Sequence, residues 1–198
     1  MQRVTLNNVM SVIHPIFKTI VAAIAAIVMY SIPLSAQSAD SEDEQALLAA
    51  LAEADADEAR GLDRQLQRLW SKSGSASMDL LLQRGRDALE EDDMAAAIEH
   101  LTALIDHAPD FAQGWSARAL AYFHAELYGP ALADLEQALA LNPNDYNAIV
   151  GLGALLEEFG DEARAYQAFA RAKAIHPHHE EVTKALDRLR PGIEGEAL

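Results

Sequence analysis

The sequence predicts an all-α solenoid of helical hairpins, in which three successive units follow an N-terminal helical hairpin and precede a capping helix. Three observations carry this. Pro109, Pro143 and Pro177 stand 34 residues apart, so one structural unit is made three times. Small and bulky apolar residues recur at the same offsets before each proline. Helix-start signals then fall where that pattern needs them.

Residues 1–39 contain no Asp or Glu. Arg3 and Lys18 precede the uncharged stretch 19–36, and Pro33 leads to Ser35, Ala36, Ser38 and Ala39. That order resembles a bacterial secretory signal peptide cleaved after Ala36 or Ala39. The stretch is also long enough for a thin membrane anchor, so both readings stand. The expected location is exported and periplasmic, or membrane-anchored facing the periplasm. The chain has no cysteine, which excludes an N-terminal lipidated Cys, disulfides and thiol chemistry.

Residues 40–77 read as an N-terminal helical hairpin with a hinge. Ser41 and Glu44 have capping-box spacing before Leu47, Leu48 and Leu51, and Asp55 and Glu58 repeat it before Leu62, Leu66, Leu69 and Trp70. Residues 71–77 form a polar Ser/Gly hinge. Ser75 stands where a repeat would carry proline, so the hairpin is expected to pack on the face of the first unit rather than to be a fourth.

The three units span 78–111, 112–145 and 146–179. The first carries Leu81, Gly85, Ala88, Ala97, Leu101, Leu104 and Pro109. Trp115, Ala119, Tyr122, Ala131, Leu135, Ala138 and Pro143 take those places in the second. In the third they are Ile149, Gly153, Leu156, Ala165, Phe169, Ala172 and Pro177. Gly85 and Gly153 weaken a helix interior, which makes sense if a second helix must approach closely there. Bulky positions fill the grooves beside that contact. Asp93 and Asp161 read as N-caps, and Gly129-Pro130 opens the second helix of the middle unit. Proline closes each unit because it cannot continue a helix.

Residues 180–198 are expected to form a C-terminal capping helix and an acidic tail. Val182, Ala185, Leu186 and Leu189 recur at helical spacing. Glu180 and Glu181 at the start, with Lys184, Arg188 and Arg190 later, suit the helix dipole. Pro191-Gly192 is expected to end this helix.

The three segments resemble the tetratricopeptide repeat (TPR), whose pattern places Trp, Leu-Gly and Tyr on one helix, then Ala, Phe and Pro on the next. Departures are Arg84 and Arg118 at the usual Leu place. Asp92 and Glu126 stand where Gly is preferred between helices, and Gly160 matches. The resemblance implies a right-handed solenoid whose first helices line a concave groove that takes extended peptides or partner helices. Carried over position by position, the lining is Leu82, Arg86 and Leu89 from the first unit. The second adds Gln113, Ser116, Leu120, Phe123 and His124, and the third Asn147, Val150, Ala154 and Glu157. Family members that bind chaperone tails hold a C-terminal carboxylate with a Lys/Asn/Arg clamp. Here those places carry Leu82, Arg86, Ala117, Asn147 and Gly151, so that ligand is not expected.

Charge narrows the partners. The chain is formally −16, with 15 Lys and Arg against 31 Asp and Glu; loss of Arg3 and Lys18 with residues 1–39 makes it −18. Nucleic acids and anionic lipid surfaces need clustered cations, so neither is expected. His176, His178 and His179 cluster, yet they straddle the end of one helix and the start of the next. They are expected to form a solvated junction rather than a metal site. His100, His107 and His124 lie in separate contexts without a nucleophile motif, and no phosphate-binding loop is present. Asp92-Asp93 and Glu157-Glu158 read as turn or surface charge. The expectation is a non-enzymatic monomer without cofactor, binding a protein or peptide of unknown identity.

Overall fold

The structure, a computed structural model, describes residues 34–196. The leader or anchor expected over residues 1–39 therefore lies almost wholly outside the described residues. None of the described helices is long and apolar enough to cross a membrane. The chain divides into residues 1–42 and 43–198. All contacts below belong to the second unit.

Nine helices and no strand occur among the described residues. The first two are α1 (Leu34–Glu53) and α2 (Ala56–Trp70). Three packed pairs follow: α3 (Ala76–Glu90) with α4 (Met94–His107), α5 (Ala112–His124) with α6 (Tyr128–Leu141), and α7 (Tyr146–Glu158) with α8 (Glu162–Ile175). The last, α9 (Glu180–Glu196), packs on α8.

Within each pair the notch residues face their partner helix. A Cβ added to Gly85 would lie 2.5 Å from Leu101 Cγ, and one added to Gly153 would lie 2.7 Å from Phe169 Cε1. In the middle pair Ala119 shares a core with Leu135. Ala97, Ala131 and Ala165 are completely buried beside them. The knob that meets each notch is therefore the bulky residue of the second helix, with the alanine next to it.

The turn inside each pair has one geometry. Asp92 (φ 62°), Glu126 (φ 60°) and Gly160 (φ 72°) are left-handed. The following N–H donates back to the carbonyl of Ala88, Tyr122 or Leu156 at 2.8 to 2.9 Å. That is a Schellman close, which recovers carbonyls the helix end would leave unpaired. Two of the second helices then start on side-chain caps, Asp93 accepting from the Ala96 N–H and Asp161 from the Arg164 N–H, while the middle one follows Leu127, which has no capping side chain.

Four expectations need correction. The first helix does not begin with a Ser41 cap; it starts at Leu34 and runs through Ser41, because residues 34–53 contain neither Gly nor Pro to interrupt it. The hinge ends at Ser75, so α3 starts at Ala76. Pro191-Gly192 does not stop the last helix, which continues to Glu196 with Pro191 inside it. A proline there removes a single backbone bond near a helix end, while buried Leu186 and Leu189 hold the turn before it in place.

The fourth concerns the hairpin, which does not sit on the first pair's face. Leu51, Ala59, Leu66 and Trp70 share a core with Tyr146, Ile149, Phe169 and Val182, from α7, α8 and α9. Leu51 and Leu66 are fully buried, worth about 1.5–3 kcal/mol each. Trp70 tilts against Tyr146 at 5.4 Å between ring centroids. The Tyr146 hydroxyl donates to Asp63 at 2.5 Å and accepts from Gln67 at 3.2 Å. Aromatic contact and directional hydrogen bonds thus select the third pair.

Candidate functional site

The first helices of the pairs, α3, α5 and α7, line a cleft of about 450 Å³. Its wall takes Arg86 and Leu89 from α3, and Gln113, Ser116, Leu120, Phe123 and His124 from α5. From α7 come Asn147, Val150 and Ala154. The structure thus brings ten of the twelve anticipated residues to one wall. Their spacing in steps of three and four keeps them on one helical face.

Two residues fall elsewhere. Leu82 is 2% exposed and belongs to the core with Ala117 and Ala121 of α5. A leucine opposite two alanines fills the seam between adjacent first helices, so it does not line the open cleft. Glu157 stands outside the wall and accepts from Arg188 of α9 at 2.6 and 2.7 Å.

Other residues line the wall besides those anticipated, two of them from outside the repeats. Gln67 of α2 and Glu181 of α9 join it, and Gly151, Ala117, Ala119 and Leu135 complete it. Gln67, Asn147 and Glu181 also border a second, wider cleft of about 880 Å³ beside His176 and His179. The hairpin therefore furnishes part of the groove wall, a role that needs tertiary contacts to be seen.

A buried polar relay crosses the wall. Arg86 donates from Nη1 to the Ser71 hydroxyl at 2.9 Å and from Nη2 to Gln113 Oε1 at 2.7 Å. Gln113 Nε2 donates to Asp145 Oδ2 at 2.8 Å. Asp145, fully buried, uses its other oxygen to accept from the Asn147 and Ala148 N–H groups and so caps α7. Burial pushes the Asp145 carboxyl up, against the pull of those amides, Gln113 and Arg86. Burial likewise pulls the Arg86 guanidinium down, with Asp145 opposing. Each polar atom named has a partner, which is what lets charge sit in a dry wall. Asp145 is legible as a cap before α7, but its reach to Gln113 is not.

The imidazole cluster is only in part the solvated junction the sequence suggested: His178 is exposed and His179 half-buried, but His176 is buried. His176 is 7% exposed, and its Nδ1 is buried without a hydrogen-bond partner. Its ring stands edge-on to Tyr146 at 5.2 Å and lies 5.4 Å from that of His179. His178 reaches the Ala54 carbonyl at 3.0 Å, where the loop between α1 and α2 passes. The docked hairpin covers what the isolated repeat would expose. Among the described residues no group of three His, Cys, Asp or Glu is placed to hold a metal ion.

The tetratricopeptide repeat family model matches residues 122–189. A TPR repeat-containing protein of Rhizobium etli is 29% identical over 143 residues, covering 72% of this chain and 70% of that protein. The SGT1 homolog of Homo sapiens is 31% identical over 103 residues, which is 52% of this chain but 28% of that protein. The first TPR of Spaghetti (RPAP3), solved bound to the HSP90 peptide SRMEEVD, has a TM-score of 0.58 at 23% identity, covering 61% of this chain and 98% of that one. The TPR2B domain of yeast Sti1, solved as an Hsp70 complex, has a TM-score of 0.56 at 20% identity, covering 60% and 99%. At those identities the solved structures speak for the fold. Sequence match, relatives and fold point the same way: the chain is similar to tetratricopeptide repeat proteins, with the family match lying over residues 122–189.

Proposed function

We propose that this protein is a non-enzymatic interaction module: TPR units 78–111, 112–145 and 146–179 hold a segment of a partner protein in the groove of α3, α5 and α7. One observation carries the reading, the single cleft wall on which Leu89, Leu120, Phe123, Val150 and Ala154 meet polar neighbours. Apolar contact with polar edges suits an extended or helical segment. The peptide complexes of RPAP3 and Sti1 TPR domains support a peptide ligand in kind. A terminal carboxylate is not the ligand proposed here. Arg86, the one cation among the five clamp positions, is already held by Gln113 and Ser71.

A photo-crosslinking residue at Ala154, compared with one at exposed Glu136 on α6, tests this in cells. Adducts concentrated at Ala154 are expected; equal labelling at both positions defeats the reading.

We place the protein outside the cytoplasm, in the periplasm, on the acid-free start of the chain with its uncharged stretch 19–36. A second reading keeps residues 1–39 attached and makes the protein a membrane-tethered envelope assembly factor, favoured by the length of that stretch. Intact mass of the protein from its native envelope separates them. A mature start near Gln37 or Asp40 removes the tether.

A further inference from the structure

The apolar wall of the groove does not end at its rim. Phe123 lies 5.6 Å from Tyr128 between ring centroids, and Tyr128 meets Phe159 edge-on at 6.2 Å. Leu120 is 49% exposed, Leu127 46% and Phe159 51%. These side chains lead from inside the cleft over the turns that join α5 to α6 and α7 to α8. Single exposed leucines are ordinary, but a contiguous aromatic and aliphatic ridge running into a cleft marks a contact surface.

The ridge has an acidic border. Glu126 and Glu158 are exposed; desolvation first, then the nearby Glu158 and Glu126 carboxylates, push the Tyr128 hydroxyl up and so oppose its ionisation. Between Arg86 and Arg164 the sequence holds one cation, Arg118, against sixteen Asp and Glu. Arg118 is itself held by Asp134. Arg164 pairs with Asp161, and Arg188, which reaches this end of α7, pairs with Glu157. The surface beside the ridge is left with unneutralised negative charge.

We propose that Leu120, Phe123, Leu127, Tyr128 and Phe159 form the entry half of the docking site, and that its occupant is a cationic amphipathic segment of another protein. Apolar side chains of that segment lie on the ridge while its Lys or Arg groups stand over Glu126 and Glu158. Charge complementarity selects this occupant and speeds its approach. A second copy of the chain is disfavoured, because self-association would bring like acidic edges together. The inference rests on the groove reading only for where the segment continues beyond Phe123.

The test uses the full chain and two labelled amphipathic helical peptides with identical leucine positions, one otherwise built of lysine and one of glutamate. Fluorescence anisotropy should show saturable binding of the lysine peptide, about tenfold tighter than the glutamate peptide. Phe159→Ser, an exposed change, should weaken it by about tenfold, and the pair Glu126→Gln with Glu158→Gln should weaken it and flatten its salt dependence. Equal binding of both peptides, or undiminished binding to Phe159→Ser, overturns the proposal. If Phe159→Ser is silent while Ala154→Glu abolishes binding, the ridge is wrong and the groove stands. If Phe159→Ser weakens binding while Ala154→Glu is silent, the ridge stands and the groove reading fails. A dimer in sedimentation that Phe159→Ser dissociates overturns the foreign partner in favour of a second copy.

Discussion

Arg118 joins three helices with one side chain. Its guanidinium donates to Asp134 of α6 through Nε at 2.7 Å and Nη2 at 2.9 Å, and through Nη1 to Thr102 of α4 at 3.0 Å. It also lies over the Trp115 ring at 5.2 Å and the Tyr122 ring at 5.5 Å. The pair is mostly buried, at 13% and 6% side-chain exposure. Arg118→Leu would install the residue the repeat pattern prefers, yet it would strand Asp134. Chemical denaturation should show a loss of about 3–5 kcal/mol. Arg118→Leu with Asp134→Leu should recover most of it, and a double mutant no better than the single would refute the pairing. Spacing shows Arg118 as a departure but carries no information about its partner, because fork geometry needs two elements in place. The turns behave differently. Asp92 was legible as standing in a glycine place, and its φ of 62° shows why. An L side chain there costs about 1–2 kcal/mol, partly offset by the extra freedom glycine gives the unfolded chain. Asp92→Gly should therefore raise stability by about 0.5–1 kcal/mol in the same assay, and a decrease would refute it.

At the scale of the element, a helix pair is decided where a notch meets a knob. Helix propensity alone says that Gly85→Ala gains about 1 kcal/mol. Packing says otherwise, since the new methyl would lie 2.5 Å from the Cγ of fully buried Leu101. Overpacking of a closed core costs about 1–3 kcal/mol, so the net effect should be a loss, read as a lower urea midpoint at unchanged slope. A glycine that meets no partner helix has no such meaning. Gly61, with open space around it, should accept alanine with a small gain. If both substitutions stabilise, the notch is not a contact. These notches, the caps Asp93 and Asp161 and the cap Asp55 were legible because each follows from local spacing. The ends of α1 and α9 were not. A helix continues through a possible cap such as Ser41 when nothing obliges it to stop, and Pro191 weakens a turn without ending it.

The molecule as a whole adds a contact between distant parts of the chain. Repeat proteins hold together mainly through neighbours, but Asp63, Gln67 and Trp70 reach Tyr146 across the sequence. Nothing in the spacing of apolar residues says which unit receives the hairpin, so this half of the groove's surroundings was unreadable. The joint also fixes a pH dependence. Burial holds the His176 imidazole below its ordinary range, as do His179 and His178, with Asp63 opposing. Burial likewise lowers His179, opposed by Glu181 and Asp63 and assisted by Lys173. The unfolded chain binds protons at these two rings more readily than the folded one. Their contribution to stability is therefore complete above about pH 6.5 and shrinks as pH falls through that value toward the lower folded ones. The net charge of −16 also changes as pH falls, so a comparison with a variant is required. His176→Phe suits this, because Nδ1 has no hydrogen bond to lose and a phenyl ring can keep the edge-on contact with Tyr146. Urea unfolding at pH 7 and pH 5.5 should show wild type losing more stability on acidification than His176→Phe. Hydrogen exchange should place the extra loss in α1 and α2, the elements this joint docks. Equal acid losses in the two proteins, or a loss spread evenly over α3 to α6, would separate the buried histidines from the docking of the hairpin.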